Sequence, residues 1–334
     1  MNTKHFLNRA GSSLFSIALA LSFAVLSMIS HTTQAKETPA AEALPKQITL
    51  GYQKHGSLII LKSTGALEKR LQELGVKVNW AEFQFGPPML EALNAGSLDF
   101  ATTGETPPVF AQASKGSPIV YIANEPAAPQ DEGLLVKGDS PLKSVAELKG
   151  KKVAVAKGSN AHFFLIQALA KAGLSLDDVT VVYLPPADAR AAFESGDVAA
   201  WSIWDYFYAA AEVQLGARAL TNGEGIIDNY VFYTSRREFV EKYPALVEIV
   251  LEEIRKNDEW IKNNPAAAAE KLAANVAGLD AKILETAIHR SNYGPEHLSA
   301  EVIAAQQKIA DTLFAIKLLP VQLTVKDAVW QPKQ

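Results

Sequence analysis

Residues 93–108 read LNAGSLDFATTGETPP, and how that stretch is parsed decides the fold. Residues 98–101 have the make-up of a short buried strand. It follows a helix stop at Ala95-Gly96, a place where glycine commonly takes the left-handed cap. The chain then turns polar at Thr102-Thr103-Gly104-Glu105, and Thr106-Pro107-Pro108 opens another helix, since prolines are tolerated in a first turn whose N–H groups have no intrahelical partner. Further along, residues 193–205 read FESGDVAAWSIWD and repeat the phrase: a helix end, a glycine stop at Gly196, a strand over 198–203, then an acid. Aligned by eye, the helix 88–93 falls on 188–193, Gly96 on Gly196 and Glu105 on Asp205. Two lobes of like topology are implied, although any two αβ units stopped by glycine share part of this look and the identities are few.

Working outward, strand patterns over 48–52, 76–83, 98–101 and 119–123 alternate with helical stretches over 66–74, 89–94 and 107–115. After residues 124–129, NEPAAP, the alternation starts afresh. Strands are expected over 134–137, 152–156, 179–184 and 198–203, with helices over 161–172, from Ala187 to the Gly196 stop, and over 206–215. Such alternation indicates βαβ units and a mostly parallel sheet in each half. The last third is strand-like over 230–234 and then helical over 245–263, 266–277, 281–291 and 299–319, punctuated by Pro265, Gly278 and Gly294-Pro295.

Residues 1–35 carry the parts of a secretory leader: Lys4, His5 and Arg9, an apolar run over 14–29, and Thr33-Gln34-Ala35 as a small-residue cleavage site. Ser16, Ser22 and Ser27 dilute that run, which argues against a membrane anchor. Cleavage after Ala35 is expected, with 36–47 a flexible lead-in rich in Pro and Ala. Removing Lys4 and Arg9 lowers the Lys+Arg count from 32 to 30 against 36 acids, a mature net charge of −6. With no basic run, nucleic acid is not an expected partner. Cysteine is absent, so disulfide and thiol chemistry are excluded. The six histidines, at 5, 31, 55, 162, 289 and 297, never fall at the spacing of a helical metal site, and no cofactor fingerprint is present.

In a doubly wound fold the ligand sits beyond the carboxyl ends of the strands. The loops there, 53–57, 85–88, 102–106, 124–126, 157–161, 185–188 and 204–205, hold hydroxyls, amides, glycines, prolines and aromatics, which suits recognition better than catalysis. Gly158-Ser159-Asn160-Ala161-His162 joins a strand to a helix, so free N–H groups and the positive end of the helix dipole point at one place. That arrangement suits an oxyanion, and Ser159 or Asn160 acting only as a helix cap is the alternative. Glu105 and Asp205 read first as residues at helix N-termini, with a general acid and base pair as the rival. His162 reads as a core or exposed imidazole before a ligand contact. Trp201 and Trp204 face opposite sides of their strand, so Trp204 is expected to stack against an apolar ligand body and Trp201 to be core.

An ordered set of motifs adds to this: Gly51-Tyr52-Gln53-Lys54, Glu82-Phe83, Gly86-Pro87-Pro88-Met89-Leu90-Glu91-Ala92-Leu93-Asn94, Thr103-Gly104-Glu105-Thr106-Pro107-Pro108, Pro186-Ala187-Asp188-Ala189-Arg190, Trp204-Asp205 and Trp330-Gln331-Pro332. By these the chain resembles the periplasmic aliphatic sulfonate-binding proteins of ABC importers, from Ile48 to the C-terminus. The resemblance implies an α/β type II periplasmic-binding fold, two αβ lobes joined by a two-segment hinge with extra C-terminal helices. The crossovers would fall near 125–132 and 222–230, with 48–127 and 228–334 as lobe 1 and 128–227 as lobe 2. It implies ligand contacts at Gln53, Gly86, Pro87, Thr103, Gly104, Glu105, Ser159, Asn160, Ala161, Trp204 and Asp205. Family members commonly carry Asp where this chain has Glu105, one methylene longer. The expected role is a monomeric, non-enzymatic periplasmic component, without cofactor or metal. It would deliver an alkanesulfonate to an ABC permease with its cytoplasmic ATPase for sulfur acquisition. Taurine, sulfate esters, nitrate or a thiamine precursor stand as alternative ligands, and a secreted enzyme using Glu105, Asp205 and His162 as the rival class.

Overall fold

The computed structural model describes residues 44–274 and 279–332. The leader, most of the lead-in and the last residues of the helix expected over 266–277 lie outside the described residues. The first half contributes β1 (Gln47–Tyr52), β2 (Lys77–Glu82), β3 (Phe100–Gly104) and β4 (Ile119–Asn124), with helices α1 (Gly56–Thr64), α2 (Ala66–Gln72), α3 (Gly86–Asn94) and α4 (Thr106–Gln112) between them. The second half contributes β5 (Glu132–Val136), β6 (Lys152–Val155), β7 (Thr180–Tyr183), β8 (Ala200–Trp204) and β9 (Arg218–Asn222), with α5 (Asn160–Lys171), α6 (Pro186–Ser195) and α7 (Phe207–Leu215). The chain then returns through β10 (Val231–Arg236) to α8 (Arg237–Lys242), α9 (Pro244–Asn263), α10 (Pro265–Ala273), α11 (Ala281–Arg290) and α12 (Ala300–Ala315).

Two five-stranded sheets result, ordered β2-β1-β3-β10-β4 and β7-β6-β8-β5-β9. The two orders are the same topology. In each, three strands pair in parallel and the first strand after a crossover inserts antiparallel: β10 against β3 and β4, β5 against β8 and β9. Strands β3 and β8 hold the same place, so the two sequence phrases that echo each other end at matching sheet positions. The fold is the mixed α/β type II periplasmic-binding fold that the motifs imply. Each sheet carries one reversed strand where the alternation alone suggests a run of parallel ones.

Local physics accounts for the elements. In β1, Ile48 and Leu50 alternate into the core and are fully buried. Gly51, next after Leu50, is required by packing, because a Cβ there would stand 2.7 Å from the Met89 sulfur and Leu98 Cδ1. Gly65, at φ 69°, separates α1 from α2, and the buried run from Leu58 to Leu61 makes 56–64 a helix of its own. Strand β9 lies where the sequence shows no strand pattern, since every residue of RALTN is half-buried and no face alternates. Helix α9 buries Leu246, Val247, Val250, Leu251, Ile254 and Ile261 along one stripe, as an amphipathic helix must.

The cores interlock. Ala209 and Ala210 of α7 pack in the first sheet's cluster, whereas Ile309 and Leu313 of α12 pack in the second's. The two crossovers also run side by side, with the Glu125 N–H donating to Val231 O at 2.8 Å and the Asn229 amide to Ala128 O at 2.9 Å. Among the described residues no helix is long and apolar enough to cross a membrane.

Candidate functional site

Between the two sheets lies a cavity of about 370 Å³ of empty space, its mouth included, lined from the first sheet by Gln53, His55, Gly86, Gly104, Pro107 and Val231. From the second come Asp131, Glu132, Ser159, Asn160 and Trp204, with Asn229 from the second crossover. Strand ends and helix starts from both halves therefore converge on one space.

Each wall is built by local geometry. Ser159 is the N-cap of α5: its Oγ accepts from the His162 N–H at 3.3 Å and donates to Ala156 O at 2.7 Å. Capping the third N–H leaves those of Asn160 and Ala161 without intrahelical partners at the positive end of the helix. Asn160 then spans the space. Its Oδ1 accepts from the Thr106 N–H at 2.9 Å, and its Nδ2 donates to Asn229 Oδ1 at 2.6 Å. The opposing wall is glycine where it meets this amide, since a Cβ on Gly104 would stand 2.2 Å from Asn160 Cγ. Gly86 is held to glycine in the same way by Pro107, whose Cγ lies 2.6 Å from the position of a Cβ. Gln53 is fixed by donating to Thr102 O at 3.2 Å.

Of the residues expected to touch ligand, Gln53, Gly86, Gly104, Ser159, Asn160 and Trp204 line the cavity, whereas Pro87, Thr103, Glu105, Ala161 and Asp205 stand next to lining residues without lining it themselves. Strand alternation explains Thr103: with Gly104 toward the cavity, its neighbour in β3 points away. Glu105 instead lines a separate cavity with Phe163 and Asp228, and its Oε2 accepts from the Tyr230 N–H at 2.9 Å. Burial pushes its carboxyl up to about 8. The Ala161 side chain is buried in the second sheet's core, leaving only its main chain for the site. Asp205 turns its carboxylate to the Ala209 N–H at 2.7 Å and to Arg290 at 3.3 Å, so it supports the first turn of α7. Burial and Asp131 still push it up to about 8 against the pull of Arg290. Trp204 is the cavity tryptophan. Trp201 is fully buried and packs on Phe193 at a ring separation of 5.9 Å.

The residues of the rival enzymatic reading are not assembled. Glu105, Asp205 and His162 all lie outside the cavity lining. His162 accepts from the Gly158 N–H at 3.3 Å and meets the Tyr183 hydroxyl at 3.2 Å, and burial drives its pKa to about 4.

Six lining residues were not among the expected contacts: Pro107 and Val231, and the polar His55, Asp131, Glu132 and Asn229. His55 sits in a loop open to inspection, but only the fold brings its Nδ1 to 2.9 Å from Asp205 O and its Nε2 to 3.6 Å from Asp131. Asp131 and Glu132 belong to the first crossover and the strand that follows it. Asn229 belongs to the second crossover and takes φ 56°, a left-handed conformation that asparagine tolerates better than most residues. Burial pushes Asp131 up to about 7. No lysine or arginine lines the cavity among the described residues. The space thus offers main-chain N–H groups, side-chain amides and an indole to a compact anion with an attached body.

Residues 71–268 match the family described as NMT1/THI5 like. A protein of Escherichia coli (strain K12) named for binding aliphatic sulfonates is 42% identical over 297 residues, 88% of this chain and 92% of its own. Among solved structures, the alkanesulfonate-binding protein SsuA from Xanthomonas axonopodis pv. citri, bound to MOPS, superposes with a TM-score of 0.82. It is 41% identical over 87% of this chain and all of that one. The periplasmic aliphatic sulphonate binding protein SsuA from Escherichia coli gives 0.79 at 41% identity, over 87% of this chain and 94% of its own.

Proposed function

Because this chain belongs to the NMT1/THI5-like family, we propose that it is the solute-binding component of an ABC importer, and that it captures aliphatic sulfonates between its two sheets. The observation that carries the reading is the cavity wall itself: the free N–H end of α5 at Asn160 and Ala161, with the amides of Gln53, Asn160 and Asn229 and no cation. A sulfonate keeps its single negative charge at any biological pH and spreads it over three oxygens. It can therefore be satisfied by several neutral donors in a dry site. Trp204, 7% exposed, supplies a flat wall for the carbon chain. The named relatives bind aliphatic sulfonates and one is described as periplasmic, which supports the same role here.

The working cycle follows from the topology. Residues 48–127 with 228–334 act as one lobe and 128–227 as the other, hinged at the paired crossovers. Ligand stabilises their closed arrangement, in which Asn160 accepts from the Thr106 N–H across the gap. The closed monomer is then read by a membrane permease with its cytoplasmic ATPase. Export to the periplasm with cleavage near Ala35 belongs to this reading, as does a binding rather than catalytic task.

A thermal-shift screen over alkanesulfonates, taurine, sulfate esters, nitrate and thiamine precursors, followed by titration calorimetry, tests the substrate. Stoichiometric binding of an alkanesulfonate without product is expected. Binding of nitrate or a thiamine precursor in its place overturns the sulfonate reading.

A further inference from the structure

His55 and Asp131 both line the cavity, and they face each other with one hydrogen too few between them. The His55 Nδ1 lies 2.9 Å from Asp205 O, a carbonyl that can only accept, so Nδ1 carries a hydrogen and donates it. In the neutral ring Nε2 is then a bare lone pair. It stands 3.6 Å from Asp131 Oδ2, and an ionised carboxylate likewise has nothing to donate. Two acceptors opposed in a largely buried place repel. One added proton, on the ring or on the carboxyl, makes the same contact attractive.

The surroundings leave that proton to the pair. Asp131 is 1% exposed, its Oδ1 has no hydrogen-bond partner, and its Oδ2 accepts from the Ser291 hydroxyl at 3.3 Å. The titratable groups facing the pair are Glu132 beside Asp131, Asp205 at the end of β8, Tyr206 before α7, Arg290 in α11 and Tyr293 after it. Arg290, the cation of this group, is bound to Asp205 and Glu212. Burial lowers the His55 ring below its ordinary range and lifts Asp131 to about 7. The ligand-free pair therefore holds its proton up to about neutral pH and loses it above. A sulfonate brings a permanent negative charge into the same space, and a negative charge strengthens the hold on a proton of any group it faces.

We propose that the His55–Asp131 pair is a proton site coupled to capture, so that an anion entering the cavity draws one proton from solvent onto the pair and releases it on leaving. This rests on the sulfonate reading above and adds a co-bound proton to it. The proton comes from water or buffer, and no covalent bond of the ligand changes. Below about pH 7 the pair is already protonated, so affinity should vary little with pH. Above that, the free protein must take a proton up in order to bind, so affinity falls as pH rises. A sulfonate does not titrate in this range, and the dependence belongs to the protein.

Titration calorimetry with butane-1-sulfonate, which carries no titrating group, tests this at about pH 8 in phosphate and in Tris, buffers whose ionisation enthalpies differ widely. The difference in heat should report uptake of up to one proton per bound ligand, and affinity should be about tenfold weaker at about pH 9 than at about pH 7. Asp131→Asn puts a permanent N–H opposite Nε2, and His55→Gln puts one opposite the carboxylate. In each variant the uptake should vanish and the affinity profile flatten, and either variant alone suffices. Equal heats in the two buffers from the unaltered protein overturn the proposal whether or not the variants fold. Uptake that persists undiminished in a variant overturns it too, since the proton then belongs to Asp205 or another acid. Binding of no alkanesulfonate at any pH overturns the sulfonate reading itself, and the coupling with it.

Discussion

Replacing Gly104 by alanine probes the contact on which the proposed closure depends. The added Cβ would lie 2.2 Å from Asn160 Cγ and Nδ2 and 2.4 Å from Oδ1, well inside any tolerated approach. The Asn160 amide cannot swing aside freely, because it accepts from the Thr106 N–H at 2.9 Å and donates to Asn229 at 2.6 Å. Admitting the methyl therefore breaks both hydrogen bonds or parts the two walls. At about 1 kcal/mol net per bond the closed form loses about 2 kcal/mol, which is roughly a 30-fold loss of sulfonate affinity if closure and binding are coupled. Each half keeps its own core, so the unfolding midpoint should fall by only a few degrees. Calorimetry with the best alkanesulfonate, paired with thermal unfolding of the ligand-free protein, measures the two effects separately. A Gly104→Ala protein that binds within about threefold of the original refutes the coupling of Asn160 to ligand capture.

Other consequences can be checked alongside. Trp204→Ala should weaken alkanesulfonates by about 1–3 kcal/mol, more for longer chains, and leave any inorganic anion that binds little changed; calorimetry across a chain-length series reads this. Glu105 is raised to about 8 by burial, so the folded protein holds its proton where the unfolded chain has lost it. Its contribution is complete below the usual carboxylate range and is lost as pH rises through about 8. Thermal midpoints of Glu105→Gln, measured from about pH 5 to 9, should consequently fall less steeply than those of the original. Arg290 bridges Asp205 at 3.3 Å and Glu212 at 2.5 Å and lies 4.0 Å from the Tyr208 ring centre, tying α11 to α7. Arg290→Met should destabilise by about 2–4 kcal/mol in urea unfolding above about pH 8, where Asp205 is ionised and left buried without its cation, and by less below that pH. Retention of full stability there would show that Asp205 is not charged in the native protein.

What the sequence made legible is what local chemistry controls. The loop Gly158–Ser159–Asn160 could be read because a strand, a glycine turn and a helix start fix where N–H groups point whatever surrounds them. Trp204 and Trp201 could be assigned to opposite faces because strand alternation needs no partner. Side-chain direction at Thr103 was not legible, because it depends on the place β3 takes beside β10, more than a hundred residues away. Nor was the insertion of β5 and β10 as reversed strands, since pairing partners so distant leave no periodic trace. His55, Asp131, Glu132 and Asn229 escaped for the same reason. Each is an ordinary polar residue locally, and the site is made by the crossovers that bring them to the strand ends. Strand β9 was hidden by its uniform half-burial, which removes the alternation a strand is recognised by.

A crystal structure of the protein with its best-binding alkanesulfonate tests the central claim most directly. Sulfonate oxygens are expected within about 3.2 Å of the Asn160 and Ala161 N–H groups, with the carbon chain against Trp204 and no lysine or arginine in contact. A sulfonate bound outside the space between the two sheets, or held there by a lysine or arginine side chain, would contradict it.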